Sequence, residues 1–94
     1  MAAVITIVSG AVEQERQPSV VEAYQAAIAD GIPEALETTF LTRDGDGLAV
    51  VTVWRSRDVL DAYIATGEEP LARRLMREAG ATPTVRILEV LARA

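Results

Sequence analysis

Ninety-four residues with a formal charge of −5 and a pI near 4.6 make one acidic domain, residues 1–94, whose core is thin enough for association to help it. Acidic residues outnumber basic ones, 14 to 9, which excludes the basic face that nucleic acid requires. All basic residues are arginine, and lysine, histidine, cysteine and asparagine are absent. That excludes a Ser-His-Asp triad, a Cys-His pair, an ordinary zinc site, haem held by histidine or thiolate, a Schiff-base lysine and the lysine of a nucleotide loop.

The apolar run from Ala2 to Val8 is too short for a membrane span and lacks the charged start of a signal peptide. It reads as a strand, Ala3 to Ser9, and the protein is expected in the cytoplasm. Pro18 and Ser19 open a helix to about Ala29, stopped by Asp30-Gly31, with Val20, Val21, Tyr24, Ala27 and Ile28 on one face. Two β segments follow, about Leu36 to Arg43 and Leu48 to Arg55, joined by the hairpin composition Asp44-Gly45-Asp46-Gly47. The Asp-Gly-Asp-Gly run lacks the later ligands of a calcium loop. Ser56 caps a helix to about Ala65 that buries Val59, Leu60, Tyr63 and Ile64. Gly67 breaks it, Pro70 starts a second piece to Ala79 with Leu71, Leu75 and Met76 inward, and Gly80 closes that. Thr84 to Leu91 is the last strand.

The order βαββαβ predicts an α+β, ferredoxin-like domain: a four-stranded antiparallel sheet with the helices on one face. A sheet covered on one side alternates apolar and polar residues. Leu48-Ala49-Val50-Val51-Thr52-Val53-Trp54 does not alternate, and Val4-Ile5-Thr6-Ile7-Val8 hardly does. The second face is therefore expected to be an apolar patch that marks an interface, with a homodimer closed sheet against sheet.

The segment Val51-Thr52-Val53-Trp54-Arg55-Ser56-Arg57-Asp58-Val59-Leu60-Asp61-Ala62-Tyr63 resembles the strand-to-helix signature of the antibiotic biosynthesis monooxygenase family, within the dimeric α/β barrel superfamily. Leu71 to Ala79, then Gly80-Ala81-Thr82-Pro83 and a final strand, is similar in layout. The resemblance implies a dimeric α/β barrel. It also implies a family range of cofactor-independent oxygenases of phenols, anthrones and quinols, haem-degrading enzymes, isomerases and cyclases. The haem-degrading branch uses an Asn on the first strand and a His on the last helical piece, both absent here. The oxygenase branch uses Asn, Trp, Tyr and Arg around an aromatic substrate; this chain offers all but Asn.

Tyr24 and Tyr63 are central on the inner faces of their helices, so both phenols point into the layer between helices and sheet, where a buried hydroxyl needs a partner or a wet cavity. They are the candidate catalytic residues, orienting a small aromatic or enolic ligand; the bland reading is two core rings. Trp54 walls the same pocket or packs at a partner subunit. Phe40 and Met76 are core side chains that complete the lining, with Thr6 and Thr52, hydroxyls on otherwise apolar strands, as is Thr38. Glu37 is either a general base of raised pKa or half of an ion pair at a sheet edge. Arg73, Arg74 and Arg77 form the most basic patch, with Glu69–Arg73 and Arg74–Glu78 spaced for ion pairs.

Three readings stand. One is a cofactor-free and metal-free monooxygenase of a small electron-rich aromatic, in which the deprotonated substrate supplies the electrons and the protein supplies a dry pocket and oxyanion donors. A second is a non-catalytic dimer that binds a small ligand or serves a structural role. The third is an isomerase or cyclase with Glu37 as base.

Overall fold

Strand β1 (Val4–Gly10) carries the β-branched N-terminal run, and a 3-10 turn (Gln14–Arg16) leads into helix α1 (Gln17–Ile28). The hairpin follows as β2 (Leu36–Asp44) and β3 (Gly47–Trp54), then α2 (Arg57–Ala65), α3 (Leu71–Glu78) and β4 (Thr84–Glu89). This computed structural model describes residues 3–94; Met1 and Ala2, where the N-terminal apolar run begins, lie outside the described residues. Ser56 caps α2 by accepting a hydrogen bond from the Val59 amide at 3.2 Å. Gly45 turns the hairpin at φ +58, a conformation that costs glycine nothing.

The four strands form one antiparallel sheet in the order β2-β3-β1-β4, the α+β, ferredoxin-like βαββαβ topology expected from the sequence. The last strand ends two residues earlier than expected. Beyond it the Val90 amide bonds the Ala3 carbonyl and Arg93 reaches Glu37 on β2, so the C-terminal segment crosses the end of the sheet. No helix among the described residues is long and apolar enough to cross a membrane.

Register assigns the faces. Val4, Thr6 and Val8 of β1 stand beside Trp54, Thr52 and Val50 of β3, all buried beneath the helices. Ile5, Ile7, Val51 and Val53 point the other way, with Phe40 and Leu88, onto a face that carries no helix. Val21 is exposed rather than buried, so the inner face of α1 is narrower than its apolar spacing implies.

The β2–β3 register shifts between Leu36 and Thr38, a bulge at Glu37 that sets two residues of β2 against one of β3. The shift turns the rest of β2 by one residue, so that Thr39 and Leu41 face the helices and Phe40 faces out.

The core is made of two clusters. The larger joins Val8, Val12, Val20, Tyr24, Leu48, Val50, Ala72, Leu75 and Met76; the smaller joins Val4, Trp54 and Leu60. At the hairpin end of the sheet the backbones close on one another. A Cβ added to Gly47 would collide with the Gly10 carbonyl, a backbone atom that cannot swing aside. Gly47→Ala is expected to cost about 2 kcal/mol through backbone displacement, read by chemical denaturation; an unchanged midpoint would refute the close approach.

Candidate functional site

The two core clusters are separated by hydroxyls. On the inner sheet face Thr6 lies between Val4 and Val8, Thr52 between Val50 and Trp54, and Thr39 between Leu36 and Leu41. Thr6 pairs with Thr52 across β1–β3 and Thr52 with Thr39 across β3–β2, so the three form a row across three strands. Above that row is a cavity of about 440 Å³, bounded by Tyr24 and Ile28 of α1, Leu60 and Tyr63 of α2, and Leu71 and Ala72 of α3. Val85 and Ile87 of β4 also line it, yet they are 43% and 40% exposed, so the space opens along that edge of the sheet.

Its polar groups are sparse and specific. The Trp54 indole donates to Thr6 Oγ1 at 2.9 Å, and Thr39 and Thr52 share a hydroxyl–hydroxyl bond of 3.2 Å. The rings of Trp54 and Tyr63 stack at a 52° tilt with centroids 5.2 Å apart. Tyr24 is 6% exposed, and its hydroxyl is the one buried side-chain polar atom among the described residues with no hydrogen-bond partner. A buried unpartnered hydroxyl costs about 1–3 kcal/mol.

Five residues that the sequence singled out, Tyr24, Tyr63, Trp54, Thr6 and Thr52, line this one space. Three do not. Phe40 is 53% exposed on the opposite face, because the Glu37 bulge turns its position outward. Met76 is fully buried in the larger cluster, and a Cβ on Gly10 would lie 3.2 Å from its sulfur, so it fills the junction of α3 with β1 rather than the cavity. Glu37 sits exposed at the bulge and pairs with Arg93 at 2.8 Å. That hydrogen bond holds its carboxyl below the ordinary glutamate value, against an opposing effect of desolvation, so the group is not poised as a base, and it does not line the cavity.

Thr39 is a lining residue that the sequence reading missed, because only the bulge brings it inward. Arg73 and Arg74, a solvated patch by their spacing, rim the cavity. Glu69 pairs with Arg77 through two bonds of 2.7 and 2.9 Å rather than with Arg73, while Arg74 keeps the expected partner Glu78 at 3.5 Å. The Arg77 bonds hold the Glu69 carboxyl below its ordinary value. Arg73 is thereby left without an ion-pair partner among the described residues.

No family model and no curated protein matches this sequence. Solved structures do. A protein of unknown function from Nitrosomonas europaea is similar at TM-score 0.70 and 15% identity, over 100% of this chain and 94% of that one. An antibiotic biosynthesis monooxygenase is similar at TM-score 0.61 and 14% identity, over 97% and 99%. A mutant of SnoaB, a cofactor-independent oxygenase from Streptomyces nogalater, is similar at TM-score 0.56 and 18% identity, over 98% and 94%. At such identities the likeness is one of fold, and it extends over nearly the whole of each chain. In fold, therefore, this chain is similar to an antibiotic biosynthesis monooxygenase and to a cofactor-independent oxygenase.

Proposed function

We propose that this protein is a cofactor-independent monooxygenase of a small, electron-rich aromatic of quinol or anthrone type, working as a homodimer. The observation that carries the reading is a largely apolar cavity lined by Tyr24, Tyr63 and Trp54, with the Tyr24 hydroxyl buried and unpartnered. The likeness in fold to a cofactor-independent oxygenase supports it.

The chemistry asks little of the protein. An anthrone-type substrate loses a proton to give an electron-rich anion, which passes an electron to dioxygen. The carbon radical and superoxide then join through a new C–O bond. Cleavage of the O–O bond and loss of water convert the original ring methylene to a carbonyl. Overall, one methylene and one dioxygen give one carbonyl and one water, with no external reductant. The cavity lining contains no carboxylate, so the substrate's proton passes to water and the anion is the species held. Tyr24 donates to its oxygen, Tyr63 and Trp54 grip the ring, and the aliphatic walls limit the contact of the reactive anion with water to the open edge. With Glu37 outside the cavity, the isomerase or cyclase reading lacks its nominated base.

The uncovered sheet face supports the dimer. The chain exposes 6161 Å², whereas a globular monomer of its mass is expected to expose about 5,300 Å². The excess of roughly 900 Å² is comparable to one partner's share of a standard interface.

Tyr24→Phe tests the enzymatic reading with two measurements of opposite sign. Removal of an unsatisfied hydroxyl is expected to stabilise the fold by about 1 kcal/mol, while loss of an oxyanion donor lowers oxygen uptake on hydroquinones or anthrones by about a hundredfold. Quenching of Trp54, the single tryptophan, reports whether those compounds bind. Binding with no uptake by the wild type would support the non-catalytic ligand-binding reading in its place.

A further inference from the structure

We infer that the threonine row Thr6–Thr52–Thr39 is a built oxyanion floor, which binds its aromatic ligand as the phenolate or enolate, with Trp54 as the positioning residue that commits the Thr6 proton to the ligand. The inference rests on the reading of this cavity as the binding site of an electron-rich aromatic anion, and it adds which residues of the sheet select that form.

The argument is a count of protons. An indole N–H is a donor only, so in the 2.9 Å contact with Trp54 the Thr6 oxygen is the acceptor and its own proton remains unspent. In the 3.2 Å contact between Thr39 and Thr52 one hydroxyl donates and the other keeps its proton. Tyr24 has spent neither its proton nor a lone pair. No other hydrogen bond among the described residues satisfies these side chains, so the floor of the cavity keeps two unspent threonine protons, with the buried Tyr24 hydroxyl unpartnered as well. Cross-strand threonine pairs are common in sheets. Here the row interrupts an otherwise aliphatic inner face, splits the core in two and lies under an open space.

Charge points the same way. Although the whole chain is acidic, none of its carboxylates lines the cavity. The titratable and charged groups around the space are Tyr24 from α1, Tyr63 from α2, and Arg73 and Arg74 from α3, with Glu78 beyond, paired to Arg74; the strands contribute none. Arg73 has no carboxylate partner among the described residues. Donors and cations without an anionic acceptor favour a negative oxygen over a neutral hydroxyl. A phenol entering this space gives its proton to water and leaves its oxygen to the floor.

The test uses 7-hydroxycoumarin, a flat two-ring phenol whose anion has its own absorption band, titrated free and bound to the full-length protein in 0.5 M salt, so that the exposed arginines are screened. The bound probe is expected to ionise about one pH unit lower than the free probe, which is a preference for the anion of about tenfold. Thr6→Val and Thr39→Val should each remove a substantial part of that shift. Trp54→Phe should reduce it while the probe still binds, an effect that mere packing would not have on an ionisation. Thr38→Val, the same change on the opposite face, should leave it intact. Thr39→Val serves where Thr6→Val, by stranding the indole N–H, unfolds the protein. An unshifted bound probe, a shift insensitive to both threonine variants, or no saturable binding would overturn the inference. The two readings fail separately. A threonine-dependent shift without oxygen uptake on any substrate leaves the floor standing and removes the oxygenase. Uptake that is indifferent to Thr6→Val and Thr39→Val does the reverse.

Discussion

Trp54→Ala is expected to lower the unfolding free energy by about 3–5 kcal/mol, a large part of the total for a domain of this size. The ring is 7% exposed and forms the smaller core cluster with Val4 and Leu60, beside Ala35, Leu36, Val59 and Tyr63. Its loss merges a new void with the existing cavity, so the surroundings have nothing against which to collapse. The change also takes away the donor bound to Thr6 and the stacking partner of Tyr63. Trp54→Phe keeps most of the contact area and should cost less than half as much. Because Trp54 is the single tryptophan, circular dichroism rather than fluorescence must follow the denaturation. A loss below about 1 kcal/mol would contradict the packing described, given what truncation of buried aromatic side chains ordinarily costs.

The second large effect concerns the open face of the sheet. Val51 pairs with Ile7 on one side and Phe40 on the other, which places it in the middle of the uncovered apolar surface. Val51→Asp puts a charge there and, in a twofold assembly, sets it near its own symmetry mate. The dissociation constant of the proposed dimer is expected to rise at least about a thousandfold, equivalent to roughly 4 kcal/mol. The monomer itself should lose only about 1 kcal/mol of strand propensity. Sedimentation at micromolar concentration distinguishes the outcomes, with Ala62→Asp on an exposed helix position as the charge control. A wild type that sediments as a monomer, or a variant that remains dimeric, would remove this face as the interface.

Much of the architecture was legible in the sequence because its signals are local. Ser56 announces its helix by chemistry, Gly45 its turn by conformational freedom, and Val4 to Val8 and Leu48 to Trp54 their strands by β-branching. The inward placement of Tyr24 and Tyr63 followed from helical periodicity, and that of Thr6, Thr52 and Trp54 follows from strand alternation once one face is known to be covered. Phe40 and Thr39 escaped for a single shared reason, whereas Glu37 forms the ion pair that was one of its two readings. A bulge leaves no mark in composition, and β2 read without it has the wrong phase from Thr38 onward. Met76 escaped for another: helical spacing says that it is buried, but not whether it meets Gly10 or an empty space. The pairing of Glu69 with Arg77 was illegible because the glutamate precedes α3, where intrahelical spacing rules have no force.

The bulge also confines the irregularity of β2 to one residue. Deleting the codon for Glu37 would set Leu36 and Thr38 side by side opposite Trp54 and Val53, with Thr39 still facing Thr52 and Phe40 still facing Val51. The floor of the cavity would therefore outlast that deletion, while the ion pair that ties the C-terminal segment to β2 through Arg93 would not.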